Sequence, residues 1–133
     1  MQRVAQREYE SGDCGIACAA MLAGTSYGKA HEKALELGLR KPRGGYYTRF
    51  RQVQDLLASL GVRNYEQRRS PTWSAIATPA IVKVNQNGNY WHWIVVAEGS
   101  KGDRYILDPE PGRSGRITDF GSYSLSGNHI HVF

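Results

Sequence analysis

Two cysteines, Cys14 and Cys18, and four histidines, His31, His92, His129 and His131, are the side chains of this sequence best suited to nucleophilic or proton-transfer chemistry. Cys14 stands between Asp13 and Gly15, at the start of a run of small and apolar residues that reads as a buried helix. A helix start leaves backbone N–H groups without partners and carries partial positive charge, so a thiolate is favoured there. Glycines at positions 12 and 15 let a substrate backbone come close, and the same N–H groups can receive an oxyanion. A free cysteine is more often a small buried hydrophobe than a nucleophile, so Cys14 also needs a base. His31 falls on the polar face of a helix and is expected in solvent, while His129 and His131 lie in the terminal segment with no evident partner. His92 opens the most apolar strand, in Tyr90-Trp91-His92-Trp93, where aromatic neighbours can shield an imidazole and fix its ring. Asp108, in Leu107-Asp108-Pro109, ends the next strand, which a short turn would lay beside that of His92. There a carboxylate would hold the imidazole tautomer and stabilise the imidazolium. The alternative for Asp108 is a turn cap before proline.

These side chains need elements to hold them. With Asp13 or Gly12 as cap, a first helix runs from Cys14 through Met21 to Gly24, buried on most sides. Ser26 caps a second, with Tyr27, Ala30, Ala34, Leu35 and Leu37 apolar and Gly38 as the stop. A basic loop from Arg40 to Gly45 leads to Thr48, the expected cap of a third helix. Phe50, Val53, Leu56, Leu57 and Leu60 keep helical spacing there, and Gly61 ends it. The second half reads as strands: an edge strand over Val62 to Gln67, then Ala80 to Asn85, Tyr90 to Glu98, Arg104 to Asp108 and Ile130 to Phe133. Asn87-Gly88 between the second and third of these is a hairpin signal. Helices first and an antiparallel sheet afterwards is an α+β fold.

At 133 residues, 41% apolar and 22% charged, the chain is expected to form a single domain over 1–133, with a core that needs no disulfide or metal. The composition excludes wholesale disorder. A net charge of +5 favours acidic partners but does not make nucleic acid an expected one, and the Arg40, Lys41, Arg43, Arg49 and Arg51 cluster around Gly44-Gly45, Tyr46 and Tyr47 reads as a solvated loop beside the cleft. The longest apolar run, Ile16 to Ala23, is far short of the ~20 residues of a membrane span. Glu8, Glu10 and Asp13 directly before it argue against a cleaved targeting segment. A cytoplasmic location is therefore expected, with export as an effector the alternative. Cysteines four apart on a helix have Cβ atoms ~5–6 Å apart, where a disulfide wants ~3.5–4.5 Å, so Cys14 and Cys18 are expected as reduced thiols. No CxxC pair or paired-histidine spacing supports zinc, and no metal or cofactor is expected. The sequence carries no signal for an oligomeric state.

Three blocks stand in order: Asp13-Cys14-Gly15-Ile16-Ala17-Cys18-Ala19-Ala20-Met21-Leu22, His92-Trp93-Ile94-Val95-Val96 and Leu107-Asp108-Pro109. Together they resemble the bacteriocin-processing peptidases, papain-like double-glycine cysteine peptidases often fused to export transporters. Phe50 to Val62 resembles the family's third helix, and Thr78-Pro79-Ala80-Ile81-Val82 the strand leading to the histidine. The resemblance implies a standalone papain-like domain, with N-terminal helices packed on a C-terminal antiparallel sheet. It implies Cys14 as nucleophile, His92 as general base and acid, and Asp108 as orienting carboxylate. It further implies a protein or peptide substrate, cut through an acyl-enzyme after Gly-Gly-type sites. The alternatives are a papain-like deamidase or acyl-transfer effector acting on a partner protein, and a catalytically silent binding module of the same fold. The family places a glutamine shortly before the cysteine to complete the oxyanion hole. Here Gln6 lies eight residues before Cys14, two farther than the common spacing, and Glu8 occupies the usual place. A carboxylate would repel a developing oxyanion, so the role is assigned to Gln6, with a longer turn through Glu10, Ser11 and Gly12.

Overall fold

Small side chains let neighbours approach the first helix from most directions. In a computed structural model, which describes residues 1–8, 12–41, 45–46 and 49–133, that helix is the centre of the molecule. Helix α1 (Cys14–Ala23) buries every residue from Cys14 to Met21 and ends at Gly24, whose φ of +67° lets its N–H reach back to Met21. Helix α2 (Tyr27–Glu36) begins at Ser26, whose hydroxyl accepts the Lys29 N–H at 3.2 Å. It buries Tyr27, Ala30 and Ala34, whereas Leu35 and Leu37, expected on its apolar face, are exposed. The buried stripe follows the i, i+3, i+7 row, which leaves Leu35 to one side. Helix α3 (Phe50–Ser59) buries Val53, Leu56 and Leu57. Its cap position is Arg49, whose N–H donates to Gln52 Oε1 at 3.1 Å. The expected cap Thr48 lies outside the described residues, as do Glu10 and Ser11 of the expected turn and Pro42, Arg43, Gly44 and Tyr47 of the basic loop.

Five strands follow: β1 (Tyr65–Arg69), β2 (Ala80–Asn87), β3 (Tyr90–Glu98), β4 (Arg104–Leu107) and β5 (Leu125–Val132). They form one antiparallel sheet in the order β1-β5-β2-β3-β4, so the α+β architecture is as expected. Boundaries differ from the expectation. The first strand begins at Tyr65 rather than Val62, and the last begins at Leu125 rather than Ile130. That last strand inserts between β1 and β2, with Ile130 opposite both Gln67 and Ile81. The β2–β3 hairpin forms, but Asn87 pairs with Tyr90, so Gly88-Asn89 is the turn centre instead of Asn87-Gly88. A bulge between Val84 and Asn87 causes this shift, with Asn85 at φ +56° and its Oδ1 accepting the Ser124 N–H at 2.8 Å.

Strand alternation gives the sheet two apolar faces. Ile81, Trp93, Val95, Leu107 and Ile130 pack beneath the three helices. Val82, Val84, Ile94, Val96 and Ile106 pack against Ile76, Phe120 and Tyr123 on the other side. The segments covering that second face include single 3-10 turns at Trp73–Ala75 and Phe120–Ser122, too short for periodicity to reveal. Among the described residues, no helix is long and apolar enough to cross a membrane. Cys14 and Cys18 are both free thiols.

Candidate active site

Three elements converge on one spot. Cys14 is the first residue of α1, His92 lies near the start of β3, and Asp108 directly follows β4. Pairing of β3 with β4, which sets Val95 opposite Leu107, brings the last two together. His92 Nε2 lies 2.7 Å from Asp108 Oδ1, and the Cys14 side chain is close enough to the same imidazole to favour its protonated form. With Nε2 on the carboxylate, Nδ1 is the ring nitrogen left to face the thiol. Burial of His92 disfavours its charge, but Asp108 and Cys14 outweigh that and raise its pKa to about 10. Burial likewise opposes the Asp108 charge, yet the bonds from His92, Tyr123 and the Glu110 N–H hold its carboxyl below the usual range. The structure therefore brings Cys14, His92 and Asp108 together, and the Asp108–His92 pair is charged around neutral pH.

The Asp108 carboxylate is 1% exposed, and protein donors replace the water it has lost. Glu110 N–H donates to Oδ1 at 2.9 Å, and the Tyr123 hydroxyl donates to Oδ2 at 2.7 Å. Arg113 in turn donates from Nη2 to the Tyr123 oxygen at 2.8 Å and holds its Nε 3.7 Å from Oδ2. Burial and the neighbouring Asp108 push the Tyr123 hydroxyl up to about 12, which keeps it a donor. Arg3 fixes the same loop through its carbonyls, donating to Asp108 O and Glu110 O at 2.7 Å each. Sequence reasoning missed Tyr123, Arg113 and Arg3: Arg3 and Tyr123 are brought in from other segments of the chain, and Arg113, on the loop that follows Asp108, stands in no motif that marks it.

The N-terminal strap places the oxyanion candidates. Gln6 is buried, its backbone N–H donating to Pro109 O at 2.9 Å and its Nε2 to Asp13 Oδ1 at 2.9 Å, immediately before Cys14. Glu8 is turned elsewhere. Its carboxylate accepts from the Tyr46 hydroxyl and, at 3.2 Å, from Arg40 Nη1, and these two bonds hold its pKa below the usual value. Asp13, a candidate cap, occupies the cap position of α1 but makes no side-chain cap bond.

The other histidines are engaged elsewhere. His31, expected in solvent, stacks on Tyr27 at 5.6 Å and bonds the Tyr46 oxygen at 2.7 Å, because Tyr27 lies one turn earlier on the same helix. His129 is fully buried, with Nδ1 2.8 Å from Ser70 Oγ and Nε2 accepting the Ala77 N–H at 3.2 Å. Burial lowers its pKa to about 4, so it stays neutral and structural. His131 Nδ1 lies 3.1 Å from Pro79 O. Cys18 sits one turn beyond Cys14, where burial, with Cys14 adding to it, pushes its thiol well above the ordinary value. As for metal, His92, Asp108 and Glu110 offer ligand atoms within 4.8 Å of one another, but the first two already bond each other.

A model of the peptidase C39 family matches residues 2–119 of the chain. No curated protein sequence matches it. Among solved structures, the chain is similar to the peptidase domain of Streptococcus ComA, a bifunctional ABC transporter of a quorum-sensing pathway. The identity is 22% over 98% of this chain and 96% of that one, with a TM-score of 0.64. It is also similar to a double-glycine-motif protease from an AMS/PCAT transporter in complex with its leader peptide. There the identity is 20% over 98% and 90% of the two chains, with a TM-score of 0.63. At such identities these structures speak to the fold.

Proposed function

The chain belongs to the peptidase C39 family of cysteine peptidases, and from that premise we propose that it hydrolyses peptide bonds through Cys14, His92 and Asp108. The observation that carries this reading is the His92 ring, bonded to Asp108 at 2.7 Å and close enough to Cys14 for the thiol to favour its protonated form. As a thiolate, Cys14 attacks the scissile carbonyl carbon, and the carbonyl oxygen becomes an oxyanion. His92 then gives the Nδ1 proton to the departing amine, leaving a thioester on Cys14. Water, deprotonated by His92, releases the acid and restores the thiolate. Asp108 keeps Nε2–H in place and stabilises the imidazolium on which each proton transfer depends. The Gln6 side-chain amide, with backbone N–H groups at the uncapped start of α1, supplies the oxyanion donors.

Substrates are peptides with Gly-Gly before the scissile bond. The fold shared with a double-glycine-motif protease that binds a leader peptide supports this choice. Glycines also suit a nucleophile buried to 5% exposure, because the peptide backbone must come within bonding distance of Cys14. The test is mass spectrometry of a peptide carrying one internal Gly-Gly after incubation with the protein. Cleavage after the second glycine, absent with Cys14→Ala, is expected. Ammonia release from glutamine peptides without chain cleavage would replace this reading with a deamidase, and no turnover of either kind with a silent binding module.

A further inference from the structure

We infer that Asp13 is the positioning residue of the oxyanion hole: its buried carboxylate fixes which end of the Gln6 side-chain amide faces the reacting carbonyl. The inference rests on the role proposed above for Gln6. Asp13 is fully buried, and four donors converge on its carboxylate. Gln6 Nε2 donates to Oδ1 at 2.9 Å. The Arg7 N–H, the Glu8 N–H and the Tyr27 hydroxyl donate to Oδ2 at 2.8, 2.7 and 2.8 Å. The carboxylate therefore ties the N-terminal strap and the first residue of α2 to the residue preceding the nucleophile. This cross-link spans the longer connection between Gln6 and Cys14 and holds the two together despite the extra residues.

The chemistry of the pair fixes the orientation. An ionised carboxylate only accepts, so the Gln6 end that faces it is the NH2 end. One Nε2 hydrogen is bonded to Asp13, and the second remains for a substrate oxygen. Gln6 Oε1, on the opposite side of the amide, is buried and has no partner among the described residues. An unpaired buried carbonyl costs stability, and a half-turn of the amide would satisfy it wherever a donor was offered. Asp13 offers none, which keeps the hydrogen-bearing end in place. The carboxylate makes no cap bond to α1; the Ile16 and Ala17 N–H groups bond the Asp13 carbonyl instead, which leaves the N–H groups of Cys14 and Gly15 as the backbone candidates for the same oxyanion.

Asp13→Asn tests this with little change of shape. The three donors on Oδ2 require oxygen there, which sets the new NH2 against Gln6. Gln6 must then turn over and present Oε1, gaining a bond and withdrawing its N–H. With a Gly-Gly-aminomethylcoumarin peptide, Gln6→Ala is expected to lower kcat about 10²-fold, the scale for losing one oxyanion donor, and Asp13→Asn about tenfold to 10²-fold. Adding Asp13→Asn to Gln6→Ala should change kcat by no more than about twofold, because the two act as one unit. Iodoacetamide alkylation of Cys14, which involves no oxyanion, should keep its rate in all three. Full additivity in the double variant would overturn the inference and leave the Gln6 role standing. A harmless Gln6→Ala would overturn both. In the wild-type protein, independent of how Asp13→Asn folds, NMR should show two unequal Gln6 Hε2 protons. Binding of a Gly-Gly aldehyde should shift the proton that is not bonded to Asp13. Shifts of both would overturn the Asp13 role, and shifts of neither the Gln6 role and the inference with it.

Discussion

Replacing Asp108 by asparagine should move the alkaline limb of the activity profile. The side chain keeps its size and can still accept Nε2–H through oxygen. Its NH2 then faces Tyr123, whose hydroxyl can turn to accept. Geometry is thus retained while the charge is lost. In the wild type, the His92 pKa is raised from 6.5 to about 10 in spite of burial, with Asp108 the leading favourable contributor. Above that value His92 has no proton to give the leaving amine, so wild-type kcat/KM should hold to about pH 10 and then fall. A close opposite charge is worth roughly 1–3 pKa units, which places the limb of the variant at roughly pH 7–9. The plateau should also fall. In a serine triad this change costs about 10⁴-fold, and a smaller loss is expected here because a thiol gives up its proton more readily than a hydroxyl. The assay is kcat/KM for a Gly-Gly peptide over about pH 5–11, which reports the free enzyme. An unmoved alkaline limb in Asp108→Asn would refute the electrostatic reasoning, whatever the plateau did.

Iodoacetamide should label Cys14 well before Cys18 in the native protein near neutral pH, since burial raises the Cys18 thiol and only Cys14 contacts His92. Peptide mapping that found equal labelling, or protection of both, would remove Cys14 as nucleophile. Tyr123→Phe deletes a bond to a buried carboxylate, worth ~1.5–3 kcal/mol, and should lower the melting temperature. Asp108 contributes stability above its unfolded pKa and loses it as pH falls through its depressed folded value. Without the Tyr123 donor the depression shrinks, and acid unfolding should begin at higher pH than in the wild type. Glu8→Ala should leave kcat nearly unchanged, because the Glu8 carboxylate is held by Tyr46 and Arg40, and its bond to Asp13 comes from the backbone N–H that alanine keeps. A loss as large as that of Gln6→Ala would exchange their assignments.

The helices were legible because their signals are local: the Ser26 cap, the Gly24 and Gly38 stops, and the spacing of Val53, Leu56 and Leu57. The nearness of His92 and Asp108 was legible too, because a short turn joins the strands that carry them. Pairings of β5 were not, since nothing local tells a strand at the end of the chain to enter between β1 and β2. The same limit hid Tyr123, which reaches Asp108 from the segment covering the far face of the sheet. Asp13 holds the cap position of α1 as expected, but the work of its side chain was not legible, for a different reason. Aspartate before a helix ordinarily caps it, and only the folded strap and Tyr27 supply the donors that draw its carboxylate away. His31 looked solvated because helical periodicity reports one helix and not the Tyr46 packed against it.

The central claim is that Cys14 forms a covalent acyl-enzyme with the N-terminal part of a cleaved peptide. Rapid acid quench of the protein with a Gly-Gly peptide, followed by intact mass and peptide mapping, measures this directly. The predicted result is a transient adduct with the mass of the fragment ending in Gly-Gly, located on Cys14 and absent from Cys14→Ala, which should show no turnover. Cleavage of the peptide without an adduct at Cys14, or persistent turnover by Cys14→Ala, would contradict it.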